Sequence, residues 1–239
     1  VVLKENNYTL IMDKIISKHL IEIRYKPNSR FLDKRGEIAD SLSSATFDQW
    51  NISNNRIDFS SKEREDFGAF FSFRNFGLFA NYPNTQEFFT KKAKDFVRNA
   101  WTHFPTDKIT RIGVRSTYLI ETKDFKSAFD KYRSKFLALS DSDIKGFGGD
   151  LIDIGFPLNF ATGEDFFNVN TGPMEKAQSK ELVVDDEKKL PKTGIYVDVD
   201  YFRKEFSPHT IQRNVLDFID KAIQKSDAVS KLIAEWTAK

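Results

Sequence analysis

The 239-residue sequence contains no cysteine and only three histidines, His19, His103 and His209. Without cysteine, the chain has no disulfide, no thiolate metal site and no thiol nucleophile. The histidines are far apart in the sequence, no serine stands out as a nucleophile beside them, and we expect surface or helix-end positions for them. These absences exclude a disulfide-stapled secreted scaffold and argue against chemistry that depends on thiol or imidazole groups.

Long apolar runs and an excess of one charge are also missing. No stretch approaches the roughly 18 apolar residues of a membrane span, and the first residues lack the pattern of a signal peptide. The 37 basic and 35 acidic residues nearly cancel, which is unlike a protein dedicated to nucleic acid or membranes. We therefore expect a soluble, cytoplasmic protein without a membrane partner. Phosphate loops, dinucleotide fingerprints and hydrolase motifs are absent too, so no cofactor is expected.

Phenylalanine is abundant, with 24 copies, and 40% of the residues are hydrophobic. This composition is sufficient for a substantial core. We find no internal repeat, low-complexity tract or linker, so residues 1–239 are interpreted as a single domain. The alternative is a subdivision near residues 140–149.

Periodicity predicts both strands and helices. Alternating apolar residues mark several strands, including Leu20–Lys26, and Ile109–Glu121 is the most regular of them. Helical spacing predicts a first helix with Leu32, Ile38 and Leu42 facing inward, a helix capped by Asn84 or Thr85 and another capped by Asp124. Two further helices are predicted at the C-terminal end, the first starting at Ser207 and Pro208 and the second beginning after Ser226. Regular β-α-β alternation is missing. The fold class expected is α+β, with a mainly antiparallel sheet packed against several helices and a C-terminal helical pair.

Arg111, Gly113 and Arg115 share one face of the most regular predicted strand. The two arginines are about 13 Å apart along a strand, and the glycine between them leaves the backbone open to approach. Guanidinium groups bind phosphate and carboxylate through paired hydrogen bonds, so these three residues form a candidate anion-binding site. The alternative interpretation is that both arginines pair with acids on neighbouring strands, such as Glu22 or Asp198.

Lys91, Lys94 and Arg98 lie opposite the apolar stripe of a predicted helix. Their spacing makes them candidate nucleic-acid contacts, although a solvated helix face is the commoner meaning of such a pattern. If the protein binds nucleic acid or a nucleotide, we expect Arg111 and Arg115 to converge with these three residues on one positive surface.

Asp198 and Asp200 are spaced about 7 Å apart on one face of another predicted strand. Paired carboxylates can hold Mg²⁺ for phosphoryl transfer, but such a site needs further acidic ligands and a phosphate-binding loop. The only nearby loop, Gly148-Gly149-Asp150, leads into a strand-like run rather than a helix. Structural pairing is therefore the favoured interpretation, and no metal site is assigned.

Three segments occur in an order that is characteristic of one group of proteins. They are the strand Ile21–Tyr25, a central strand of the type R-[IV]-G-[LV]-R at Arg111–Arg115, and the strand Val197–Tyr201, which is followed by apolar helices. In these segments the chain resembles a sporadically distributed bacterial family of uncharacterised proteins. The resemblance implies no catalytic residues, and the patchy distribution of the family implies a place in an accessory or defence system.

The leading hypothesis is a non-enzymatic module that binds another protein, with a homo-oligomer as one form of such binding. It is based on the absence of catalytic motifs together with many aromatic residues, and it expects aromatic side chains to be left exposed. Two alternatives stay open at this point: nucleic-acid or nucleotide binding through the basic residues, and a metal-dependent phosphoryl-transfer enzyme centred on Asp198 and Asp200.

Overall fold

A computed structural model describes residues 14–43, 47–104, 108–175, 177–178, 190–204 and 211–238. The strands in these ranges are β1 (Lys14–Tyr25), β2 (Gln49–Ile52), β3 (Arg56–Ser60), β4 (Phe67–Ser72), β5 (Asn75–Asn81), β6 (Ile109–Glu121), β7 (Phe156–Thr162), β8 (Asp165–Glu175) and β9 (Thr193–Lys204). The helices are α1 (Arg30–Leu42), α2 (Gln86–His103), α3 (Phe125–Phe136), α4 (Asp141–Gly146) and α5 (Ile211–Ala238).

The nine strands form one antiparallel sheet in the order β2-β3-β4-β5-β1-β6-β9-β8-β7. Short hairpins connect β2 through β5 and connect β7 to β8, whereas β1 and β9 insert between strands that are distant in sequence. The predicted α+β class with an antiparallel sheet is confirmed. The assignment of a single domain stays a prediction; residues 140–149 fall on α4 and the segment that follows it.

Alternation along each strand divides the side chains between two faces of the sheet. On β6, Ile112 and Val114 are buried on one face, whereas Arg111 and Arg115 lie on the other. The four longer helices pack on the first face. Their side chains contact sheet residues that are buried on that face, namely Phe71, Phe76, Thr171 and Tyr201. We call the opposite side of the sheet the open face.

Phenylalanine rings join the first two helices to the sheet. Phe71 of β4 stacks between Phe31 of α1 and Phe76 of β5, with ring centroids 6.1 and 5.2 Å away. Phe96 of α2 meets Phe76 edge-on at 6.1 Å. Each fully buried phenylalanine contributes roughly 1.5–3 kcal/mol, so this cluster fixes both helices on the sheet.

The other two long helices cover the second half of the sheet. Tyr132 of α3 hydrogen-bonds to Thr171 of β8 through their hydroxyl groups at 2.6 Å. Phe218 of α5 packs on Tyr201 of β9, with ring centroids 5.5 Å apart.

The predicted inward face of the first helix is wrong at one position. Leu32 is exposed, and its neighbour Phe31 is fully buried against the sheet, whereas Ile38 and Leu42 are buried as expected. The larger apolar area of phenylalanine gains more from burial than that of leucine, which sets the rotation of the helix.

The predicted C-terminal helical pair is one continuous helix, α5, of 28 residues. Ser226 does not cap a new helix: it is fully buried within α5, and its hydroxyl donates a hydrogen bond to the Ala222 carbonyl, 2.8 Å away. The expected start at Ser207 and Pro208 lies outside the described residues. No helix among those described is both long and apolar enough to cross a bilayer.

Candidate functional site

Arg111 is held by acids on both sides of its strand. Its Nη2 donates to the two carboxylate oxygens of Asp200 on β9, each at 2.8 Å, and its Nη1 lies 3.9 Å from Glu22 on β1. The guanidinium also lies over the ring of Phe202, 4.6 Å from the ring centroid. The charge that an anion would need is therefore already shared with two carboxylates.

Gly113 does not leave an open approach to the backbone. A Cβ atom at this position would lie 2.5 Å from Nη1 of Arg111, so the guanidinium occupies the space that the glycine provides. The glycine lets Arg111 fold flat over the sheet, and the gap that the sequence suggested for an anion is filled by this side chain.

Arg115 pairs with Asp198 on β9. Its Nε lies 2.8 Å from one carboxylate oxygen and its Nη2 lies 2.7 Å from the other, and the Thr117 hydroxyl donates a third hydrogen bond at 3.0 Å. The Asp198 side chain is 1% exposed, whereas that of Arg115 is 53% exposed. The hydrogen bond that Arg115 donates to Asp198 raises the pKa of Arg115 above its ordinary value, which keeps the guanidinium charged.

Glu22 and Lys18 of β1 complete the charged part of the open face. Burial by itself would raise the pKa of Glu22, but hydrogen bonds from Arg24 at 2.8 Å and Asn75 at 2.6 Å lower it overall. Burial and the nearby Arg115 lower the pKa of Lys18.

The open face thus carries an alternating set of charges across three central strands: Lys18, Arg24, Arg111 and Arg115 with Glu22, Asp198 and Asp200. This is the pairing that the sequence offered as the alternative to an anion site. Opposite charges across strands stabilise a sheet, and they leave the face close to neutral.

The basic residues of α2 lie on the helix-covered side. Lys94 pairs with Asp220 of α5, Arg98 lies 3.0 Å from Asp95, and Lys91 is exposed. All three line a groove of about 420 Å³ between α2 and α5. The expected convergence with the two arginines of β6 is therefore wrong, since the sheet separates the two groups.

Asp198 and Asp200 each face an arginine rather than another acid. Within the described ranges, no group of three His, Asp or Glu side chains is arranged to hold a metal ion. The loop Gly148-Gly149-Asp150 is exposed and precedes a segment without regular secondary structure instead of a helix. The geometry therefore offers the phosphoryl-transfer alternative neither a third ligand nor a phosphate-binding loop.

His19 is a core residue, which corrects the expectation of a surface position. It is fully buried on β1, and its Nδ1 is hydrogen-bonded to the hydroxyl of Ser116, which is also fully buried, at 2.9 Å. Burial, aided by the charge of Lys14, lowers the pKa of His19 to about 3, so the ring is neutral. His103 is exposed at the end of α2, and His209 lies outside the described residues. The Ser116–His19 contact is shut off from solvent and is structural.

Exposed apolar side chains gather in one part of the chain that the sequence did not single out. Among the described residues, eight large apolar side chains are exposed, and five of them lie between residues 139 and 166. They are Leu139, Phe147, Ile152, Phe160 and Phe166. Phe147 is 82% exposed and Ile152 is 81% exposed. We call residues 139–166 the β7 region.

The β7 region contains one edge of the sheet. β7 pairs with β8 on one side, and its seven residues include no charged side chain. α4, which precedes it, has no buried residue although a capping box at Ser140 and Asp143 stabilises its first turn. The exposure of α4 could have been predicted from its sequence, because the helix has charged residues but no apolar stripe.

Comparison with protein-family models and with curated proteins finds no match to this chain.

Proposed function

We propose that the protein is a non-enzymatic module that binds another protein and that the β7 region makes the contact. The observation that supports the proposal is the clustering of exposed apolar side chains in residues 139–166, next to an uncharged edge strand. Large apolar side chains left exposed in one segment of an otherwise well-packed protein are a feature of interaction sites.

Phe147 and Ile152 are the most exposed of these side chains and the candidate anchors for a partner. Both are more than four-fifths exposed, so a partner that buried them would remove most of their apolar area from water. Burial of a large apolar side chain is worth roughly 1.5–3 kcal/mol, and a few such anchors carry most of the energy of a typical interface.

The two alternatives have less support. A nucleic-acid site would need unpaired cations on one surface, whereas Arg111 and Arg115 are paired with carboxylates and lie across the sheet from Lys94. A metal-dependent enzyme would need more ligands than Asp198 and Asp200 provide.

Compartment and family remain part of the proposal. The absence of cysteine suits a reducing compartment, which supports the cytoplasm. The three strand segments described above support membership of the sporadic bacterial family and a role in an accessory or defence system.

The proposal is tested by photo-crosslinking. A photoreactive amino acid is placed at position 147 or 152 in the β7 region, and as a matched control at Leu232, an exposed apolar residue of α5. We expect crosslinks to one protein from positions 147 and 152 but not from 232. The captured protein is then purified, and its affinity is measured for wild type, for Ile152→Asp and for Arg111→Ala/Arg115→Ala.

A loss of affinity of tenfold or more in Ile152→Asp, with the arginine variant unchanged, is the expected outcome (about 1.4 kcal/mol per tenfold). Crosslinks that are equal at all three positions, or binding lost only in the arginine variant, would overturn the proposal. Nucleic acid recovered by wild type and not by the arginine variant would favour the first alternative instead.

A further inference from the structure

We propose that the partner of β7 is a second copy of the same chain, paired antiparallel with β7 around Asn159; this rests on the proposed function and names its partner. The starting point is the edge itself. Exposed edge strands invite pairing with another chain, and proteins usually protect them with charge, with bulges or by making them short. β7 has seven residues and no charge, whereas β2 at the other edge has only four residues.

The backbone of β7 is arranged for such pairing. The two-residue turn at Gly163 and Glu164 makes Thr162 and Asp165 the hydrogen-bonded pair that closes the hairpin. Backbone groups then alternate along the strand, so residues 158 and 160 direct theirs to β8 and residues 157, 159 and 161 direct theirs outward.

Pro157 agrees with this alternation. A proline has no N–H and is tolerated in a sheet where that group would face away from the neighbouring strand. Its place among the outward-facing residues leaves the ladder with β8 intact, and the N–H groups of Asn159 and Ala161 face the outer edge, where no strand of the described residues pairs with β7.

The side chains of β7 complement themselves. A two-fold axis through Asn159 places Phe160 opposite Leu158 of the second copy on the helix-covered face, and Ala161 opposite Pro157 of the second copy on the open face. Phe160 is 44% exposed and stacks on Phe167 at 4.6 Å, so its ring is already held in position for a neighbour. Aromatic and aliphatic residues that face each other across strands stabilise a pair.

This arrangement closes on itself. An isologous contact uses the same strand from both copies, so it produces a dimer with two sheets joined edge to edge and leaves the outer β2 edges apart. Because β7 carries no charged side chain, two copies of the strand do not repel each other electrostatically. For the same reason, β7 has no charge that would favour pairing with an oppositely charged segment.

The test uses the fact that position 159 would face itself. Asn159 is exposed, so Asn159→Lys and Asn159→Asp leave the core unchanged, which circular dichroism and unfolding curves verify. Each variant alone places like charges opposite each other across the axis, whereas an equal mixture places Lys opposite Asp. The matched controls are Asn51→Lys and Asn51→Asp on β2, where the same residue type is also exposed.

Sedimentation velocity over a wide range of concentrations, up to the millimolar, gives the readout. We expect wild type and both Asn51 variants to form dimers, each Asn159 variant to dissociate at least tenfold more readily, and the mixture to recover the dimer. Wild type that stays monomeric, or a dimer that the Asn159 variants leave unchanged, would overturn the inference.

These outcomes separate the inference from the proposed function. If wild type is monomeric but positions 147 and 152 crosslink to another protein, the binding role stands and self-pairing fails. If neither dimer nor crosslink is found, both fail.

Discussion

In two ion pairs of the open face the acid is less exposed than the cation that pairs with it, whereas in the Arg111–Asp200 pair the acid is the more exposed partner, at 30% against 18%. The side chain of Asp198 is 1% exposed beside an Arg115 side chain that is 53% exposed, and that of Glu22 is 16% exposed beside Arg24 at 52%. A buried carboxylate without a partner is costly, whereas a long cation that loses its acid can turn into water. In the Arg115–Asp198 and Arg24–Glu22 pairs, the arginine therefore stabilises the acid more than the acid stabilises the arginine.

Arg115→Ala should consequently lower the free energy of unfolding by about 1–3 kcal/mol, because it leaves the Asp198 carboxylate with only the Thr117 hydroxyl. The control is Arg56→Ala, which breaks an exposed pair with Asp58 and should cost less than about 1 kcal/mol. Urea unfolding at neutral pH measures both. Equal losses in the two variants would mean that Asp198 does not depend on Arg115.

His19 should make the stability depend on pH. Its pKa is about 3 in the folded protein and near 6.5 when unfolded, so below pH 6.5 the unfolded chain binds the extra proton. The resulting stabilisation of the unfolded state grows as the pH falls towards 3, and one such group lowers the free energy of unfolding by about 2 kcal/mol between pH 7 and pH 5.

His19→Asn removes this titration, so the loss of stability between pH 7 and pH 5 should be smaller by about that amount. Because the readout is a slope, it stays valid if the variant is less stable at every pH. His103→Asn, at the exposed end of α2, is the matched control for the loss of one histidine. An unchanged slope in the His19 variant would show that the ring is not held neutral.

The partners of the arginines could be predicted from the sequence because side chains alternate between the two faces of a strand. This alternation places Glu22 and Asp198 on the same face as the arginines. The burial of His19 was not predicted, because the predicted strand begins at residue 20, whereas β1 begins at Lys14. Extending the alternation of Ile21 and Ile23 back by two residues would have placed His19 in the core.

At the scale of elements, helix ends were predicted well where a side chain closes them. Thr85 accepts a hydrogen bond from the N–H of Phe88 at 3.1 Å, and Asp124 accepts one from the N–H of Ser127 at 2.7 Å. Asp124 is the predicted cap of α3, and Thr85 is one of the two caps predicted for α2, the other being Asn84. Ser226 has the same chemistry but lies inside α5, where its hydroxyl bonds back to the preceding turn. Local sequence does not distinguish these two uses of serine.

Thr85→Ala should therefore destabilise the protein by about 1 kcal/mol, since it leaves the amide of Phe88 without its acceptor. Ser226→Ala should change the free energy of unfolding by no more than about 0.5 kcal/mol, because alanine keeps the helix and loses only the bond back to Ala222. Thermal or urea unfolding compares the two. A larger loss at Ser226 than at Thr85 would restore the predicted break between two helices.

At the scale of the whole molecule, strand order was beyond the reach of periodicity. Lys91 and Arg111 are twenty residues apart and both were read as exposed cations, but only the placement of α2 on one face of the sheet shows that they cannot share a ligand. The β7 region was missed for a related reason. Whether Phe147 and Ile152 are buried depends on elements that pack from elsewhere in the chain, and no local pattern records that.

Amide hydrogen exchange should be slowest in the central strands of the sheet and fastest in its edge strands. Strand β6 and the Lys18–Arg24 part of β1 are paired on both sides and packed under helices, so their amides should exchange only through global unfolding. Amides of the short edge strand β2 should exchange at least about 100-fold faster. Mass spectrometry of peptides from each strand measures this, and uniform protection across the sheet would contradict it.

Because β9 lies between β6 and β8, the sheet can be completed only late in synthesis on the ribosome. The strand pairs among β1 to β6 can all form once residue 121 has emerged. Within the described sheet, the hairpin of β7 and β8 is connected to these strands through β9. For the time needed to translate residues 176–204, that hairpin has no place in the sheet, and both β6 and β8 await the strand between them. Unpaired strands at this stage invite misassociation between nascent chains. Slow codons or a chaperone would act most effectively in this interval, before β9 closes the sheet.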